Sequence, residues 1–222
     1  MTARTIRMMG EPSLKEVSKE VPEVTPEILT LIDDMVDTMR ANNGAGLAAP
    51  QVGENVRVVT VDCTNLSSGN PFPRDDEDEI LVLINPELEL SDSRVRWREA
   101  CLSVPGVTGM VERSDHVIVH FMDCEGGRQT IDVGWPLAGA VQHEYDHLDG
   151  ILYPDRMSRL TKDMLLKKFS KFKAKVEKSF RERLGISENK QNSRSPKSMK
   201  AKKARKQKAK VARVSRKSSR SR

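Results

Sequence analysis

Apolar residues return every three or four positions between Ile28 and Met39. Ile28, Leu31, Ile32, Met35, Val36 and Met39 form one stripe at helical spacing, which predicts an amphipathic helix. Thr25-Pro26 opens it, because Thr caps a helix and Pro suits the first helical position, where a missing N–H costs nothing. Asn42-Asn43-Gly44 closes it. The period then changes. Residues 56–61 (VRVVTV) and 80–84 (ILVLI) are short runs rich in branched side chains and predict strands. Residues 95–103 hold the segment VRWREACLS. Residues 117–122 and 129–133 predict a hairpin around Glu125-Gly126-Gly127. Residues 136–148 predict a second helix.

The third helical pattern differs in its charge. Over residues 161–184, Leu165, Phe169, Phe172, Val176 and Phe180 share a face, with Lys168, Lys171, Lys175 and Lys178 off it. Gly185 is a stop signal. Beyond Glu188 the chain is rich in Lys and Arg, with much Ser and Ala and no acid, a composition that cannot bury a core and predicts disorder. Residues 65–79 hold two prolines and five consecutive acids, and predict an exposed loop. The pattern therefore divides the 222 residues into a globular part (1–160), a basic helix (161–186) and a disordered basic tail (187–222).

The charge count sharpens that division. Residues 1–160 carry 14 Lys and Arg against 28 Asp and Glu, a net of −14. Residues 161–222 carry 24 against 4, a net of +20. An acidic body with a basic end implies a polyanionic partner reached through the C-terminus. No apolar run approaches the ~18 residues a membrane span needs. Cys63, Cys101 and Cys124 are odd in number and widely spaced, which argues against a disulfide framework and for a reducing compartment.

The candidate chemistry lies in the second helix. His143-Glu144-Tyr145-Asp146-His147 puts two imidazoles one turn apart on one face, so both can reach a single metal ion. Glu144 then lies beside the ion, within reach of a proton on bound water. A catalytic metal needs a third protein ligand. No His follows His147, and the downstream acids sit near Pro154 or on the basic helix. Upstream, Cys101 offers a thiolate, although a free cysteine is most often a small buried hydrophobe, the reading given to Cys63 and Cys124.

GAGLAAPQ (44–51), EACLS (99–103) and QHEYDHLDG (142–150), in that order, resemble peptide deformylases. The likeness spans about residues 6–184, and GEPSLKEVSKEV (10–21) and NPEL (85–88) fit it too. It implies an α+β fold: a mixed, mostly antiparallel sheet around a central metal-bearing helix, with a C-terminal basic helix. It implies removal of the N-formyl group from the initiator methionine of nascent chains. Carried onto this sequence, the metal ligands are Cys101, His143 and His147, the general base and acid is Glu144, and Gly46 contacts substrate. The oxyanion donors are the Gln51 side-chain amide and the Leu102 backbone N–H. Fe(II) is the ion implied, with Zn(II) or Ni(II) also compatible with the donors. The partners implied are the nascent N-formyl-Met peptide and the ribosome, its RNA and protein near the exit tunnel, reached through the basic C-terminus.

One position departs from the pattern. Ala100 stands where the family usually has Gly. If its φ is positive, its methyl is strained and the enzyme weakened. Two other readings compete: a general H-E-x-x-H peptidase, and a weakened deformylase-like protein acting mainly as a ribosome- or RNA-binding module. The first motif lies almost at the N-terminus, which leaves little room for a presequence and favours a bacterial-type cytoplasm.

Overall fold

The computed structural model describes residues 2–64 and 80–184. The expected acidic loop (65–79) and disordered tail (187–222) lie outside the described residues. Helix α1 runs Pro26–Ala41 and is followed by strand β1, Gly46–Ala48. Strands β2 (Val58–Asp62), β3 (Ile80–Leu90), β4 (Arg94–Glu99), β5 (Gly109–Ser114), β6 (His116–Met122) and β7 (Arg128–Gly134) come next. Helices α2 (Leu137–Leu148) and α3 (Arg159–Arg183) complete the order. The fold is α+β. Five strands form one sheet in the order β1-β2-β3-β6-β7, while β4 and β5 form a second. Every pairing of these strands is antiparallel.

Most predicted elements stand, with instructive differences at their ends. Strand β3 continues past Ile84 to Leu90. Pro86 cannot donate to a ladder, so the sequence reads as ended there. The chain instead bulges between Ile84 and Glu87. Asn85 takes φ 49°, and its side-chain amide satisfies both Val21 N–H and Val21 C=O at 2.8 Å. Three strands escape the sequence pattern: β1, β4 and β5. β1 has three residues, too few for a period, and β5 (GMVERS) carries an inward-facing Arg113 where alternation calls for an apolar side chain.

Helix α2 is the centre of the molecule, and all its residues except Tyr145 are buried. Its Leu137, Ala138, Ala140, Val141 and Leu148 pack with Val59, Val61, Leu83, Val117, Val119 and Val133 of the large sheet. Leu31, Ile32, Met35 and Met39 of α1 pack with Leu47, Val58 and Ile84 in a second cluster. A third cluster joins Cys101, Val104, Val111, Leu152, Tyr153, Leu165 and Phe169. Close packing fixes the identity of Gly139 in α2. A methyl there would lie 2.6 Å from the Trp135 ring and 3.2 Å from Trp97. Overpacking of that kind costs about 1–3 kcal/mol.

Two compact units divide the chain, Met1–Ala174 and Lys175–Arg222. In the first, Leu165 and Phe169 of α3 are buried and Phe172 is half-buried, while Lys168 and Lys171 are exposed. In the second, Val176 and Phe180 are exposed although they continue the same apolar stripe. No helix of the described residues is long and apolar enough to cross a membrane.

Candidate metal centre

The site is assembled from α2 and from the chain leaving β4. One turn of helix separates His143 from His147, and their rings stand edge-to-face with centroids 5.1 Å apart. Cys101 lies two residues past the end of β4, and its Sγ is 3.3 Å from His147 Nε2. One ligand atom from each of Cys101, His143 and His147 lies within 4.8 Å of the others, and all three residues are buried. The three residues expected as ligands therefore meet, and Cys101, though buried, has a polar neighbour in His147.

The donor chemistry fits a divalent ion. His143 Nδ1 lies 2.6 Å from Glu99 Oε2. A carboxylate only accepts, so Nδ1 carries the hydrogen and Nε2 keeps its lone pair for a metal. His147 Nδ1 is buried without a hydrogen-bond partner among the described residues. The surroundings push the two imidazoles in opposite directions. Burial opposes protonation of His143, but its hydrogen bonds to Cys101 and Glu99 outweigh that and hold its pKa well above the usual value. Burial, with the charges of His143 and Arg113 nearby, drives His147 well below the usual value. A metal held here needs both imidazoles neutral, so its binding would displace the proton that His143 otherwise favours.

Around the ligands stands a buried charge network that sequence reasoning missed. Arg113 binds Glu99 through Nε (2.7 Å) and Nη2 (3.1 Å), and Asp146 through Nη1 (2.6 Å). The side chains of Arg113, Glu99 and Asp146 are 4%, 1% and 4% exposed. Burial raises the Glu99 pKa, but its hydrogen bonds with His143 and Arg113 win and bring it down to about 2. Glu99 stays a carboxylate whatever the working pH. Glu99 stands two residues before Cys101 and Asp146 adjoins His147, so an acid close to each of these candidate ligands was the available signal.

A cavity of about 510 Å³ opens onto the ligands. Gly46, Gln51, Cys101, Leu102, His143 and Glu144 all line it, while His147 lies deeper at 1% exposure. Gln51 is locked in orientation: its Oε1 accepts from Ala48 N–H at 2.8 Å. Its Nε2 then points at Cys101 Sγ (3.5 Å) and Ser103 Oγ (3.2 Å). Gly46 leaves room for Glu144, since a methyl there would lie 2.6 Å from Glu144 Oε1. Burial pushes the Glu144 carboxyl up to about 7. Its Oε2 has no hydrogen-bond partner among the described residues. Ala100 also lines the cavity, and its φ is not positive, so its methyl meets no backbone strain.

Comparison with known proteins decides the family. The family model for polypeptide deformylase matches residues 3–163. The chain belongs to the peptide deformylase family. The peptide deformylase of Agathobacter rectalis is 43% identical over 164 residues, covering 74% of this chain and 96% of that protein. The deformylase of Bartonella tribocorum is 42% identical over 172 residues, 77% of this chain and 93% of its own length. Among solved structures, the Legionella pneumophila deformylase superposes with a TM-score of 0.71 at 35% identity, covering 79% of this chain and 98% of that one. The Ehrlichia chaffeensis deformylase, solved with actinonin, gives 0.69 at 33% identity, with 77% and 98% covered. The deformylase match takes in the cavity and all three candidate ligands, and the general peptidase reading falls away.

Proposed function

We propose that this deformylase hydrolyses the formamide of N-formylmethionyl peptides, with Glu144 as the proton carrier. The observation that carries the reading is Glu144 itself. It is a buried carboxyl with a free oxygen and a pKa raised to about 7, and it faces the same cavity as Cys101, His143 and Gln51. A group with a pKa near 7 both accepts and returns a proton at neutral pH. Cys101, His143 and His147 would hold one divalent ion, Fe(II) in preference to Zn(II) or Ni(II), which supplies Lewis acidity at the formyl group and to the attacking water. Glu144 takes one proton from water as the water oxygen bonds to the formyl carbon. The C–N bond then breaks, Glu144 returns that proton to the amine nitrogen, and the formyl carbon leaves as formate.

Negative charge grows on the formyl oxygen during the attack. Gln51 Nε2 and the Leu102 N–H are the donors offered to it, and a single well-placed donor is typically worth about 3 kcal/mol of barrier. Gly46 lets the peptide backbone approach beside Glu144. The physiological substrate is the N-terminus of a nascent chain in a bacterial-type cytoplasm. The basic residues after 161 draw the enzyme to ribosomal RNA and protein near the exit tunnel, by charge alone.

Formate release from a formyl-Met tripeptide, assayed without oxygen and with Fe(II) added, tests the activity. Actinonin should inhibit it. No formate from the Fe(II)-loaded chain would overturn the reading. Fe(II) as the native ion predicts that activity decays in air, through the metal or Cys101, and that Zn(II) or Ni(II) substitution slows the decay. Equal lifetimes of the forms with and without oxygen would exclude Fe(II).

A further inference from the structure

We propose that Arg156 is a positioning residue of the metal centre, acting on His143 through Asp146, Arg113 and Glu99. The inference rests on the metal-binding reading above. Arg156 ends the short helical turn Tyr153–Arg156 and lies ten residues beyond Asp146. Its guanidinium grips Asp146 with two bonds, Nη2 to Oδ1 at 2.5 Å and Nε to Oδ2 at 3.1 Å. Asp146 Oδ2 also accepts Arg113 Nη1 at 2.6 Å. Arg113 holds Glu99 with two more bonds, and Glu99 Oε2 accepts His143 Nδ1–H at 2.6 Å. Charge alternates along this line: Arg156 positive, Asp146 negative, Arg113 positive, Glu99 negative. The three inner members are 4% exposed or less, whereas the Arg156 side chain is 47% exposed.

The alternation explains why the outer arginine matters. Without Arg156, two buried carboxylates share one guanidinium. An unbalanced buried charge is costly, so Arg113 is pulled toward Asp146 and its hold on Glu99 weakens. Glu99 is the partner that fixes the His143 ring and leaves Nε2 facing the site. Slack introduced at Arg156 therefore arrives at a metal ligand. A lysine keeps the charge but lacks the planar fork that spans both Asp146 oxygens.

The bland alternative is that Arg156 only pins its own turn to α2. Metal release separates the two, because pinning the turn does not govern how fast an ion leaves. The full chain, reconstituted with Co(II), gives a thiolate–cobalt absorption whose loss after addition of a chelator can be timed. Outer partners of metal ligands typically contribute 10–100-fold in metal affinity, and one step further out we expect Arg156→Ala to release Co(II) about 3–10-fold faster. Arg156→Lys should fall between, kcat should drop with KM unchanged, and added guanidinium should slow release from Arg156→Ala. The guanidinium has a route in, since Arg156 and Asp146 line a cavity of about 250 Å³. Lys162→Ala, which cuts the neighbouring 2.6 Å pair with Asp155, should release Co(II) at the wild-type rate. Should Arg156→Ala fail to fold, Arg156→Gln and Arg156→Lys carry the same comparison. Release at the wild-type rate would overturn the proposal, as would faster release that only tracks a lower Tm and ignores guanidinium. A wild-type chain that takes up no Co(II) would instead bring down the metal reading, and the proposal with it.

Discussion

Cys101→Ala should leave both imidazoles in place and yet empty the site, because two nitrogens one turn apart cannot hold an ion as three donors do. Metal analysis of the purified variant checks this, and full occupancy would exclude Cys101 as a ligand. Glu144→Gln should keep the metal and lose about 10²–10⁴-fold in kcat, since an amide cannot carry the proton. A drop under about fivefold would remove Glu144 from the mechanism. Gly46→Ala should lower both activity and stability. The added methyl would lie 2.6 Å from Glu144 Oε1, 2.8 Å from its Cγ and 2.9 Å from its Cδ, and that side chain is buried, so it must shift as a whole and leave its working position. A fall in kcat together with a lower Tm is the expected pattern, and an unchanged kcat would remove Gly46 from the site. At this scale the sequence was most legible where chemistry sits on one helix, as His143, Glu144 and His147 do. Arg113 was illegible for a physical reason. Its importance lies in reaching Glu99 from one side and Asp146 from the other, and only the folded chain brings those two acids to it.

Among the elements, α1, α2 and the β6–β7 hairpin were readable because each has a long period or a clear turn. β5 was not, because the inward arginine that serves the site breaks the alternation that would reveal the strand. The second half of β3 hid behind Pro86. Asp155 offers a test of how the elements are tied together. It accepts Lys15 Nζ at 2.8 Å, Lys162 Nζ at 2.6 Å and Leu152 N–H at 3.0 Å, and so joins the N-terminal segment to the start of α3. Burial works against its charge, but these donors prevail and lower its pKa to about 2. A pKa lowered in the folded state stabilises above the unfolded value, about 3.9, and that contribution fades as pH falls toward 2. Asp155→Asn should therefore lower Tm at pH 6 and change it little at pH 2. An equal change at both pH values would mean that the ion pairs contribute nothing.

At the scale of the whole molecule, charge was more legible than packing. The switch from −14 before residue 161 to +20 after it is plain in the sequence. How far the apolar stripe of α3 would be buried was not, because a stripe records what could pack and not whether a neighbour is present. Leu165 and Phe169 are buried, and Val176 and Phe180 are exposed. Deleting residues 189–222 should leave formate release from a short peptide nearly unchanged. Ribosome binding, measured by co-sedimentation over a salt series, should weaken and show a shallower salt dependence, because fewer phosphates would be neutralised. Equal binding by the truncated and full chains at low salt would remove the tail from docking. The placing of the ligands also orders events in time. Cys101 and His147 are 46 positions apart in the sequence, and His147 sits on the buried helix α2. During synthesis at about 5–20 residues per second, the sulfur waits roughly 2–9 s for its second imidazole, and longer for Leu165 and Phe169, which pack in the same core cluster as Cys101. An ion held as proposed by Cys101, His143 and His147 therefore cannot be fully gripped until α2 has been made, so loading would follow the emergence of that helix and not precede it.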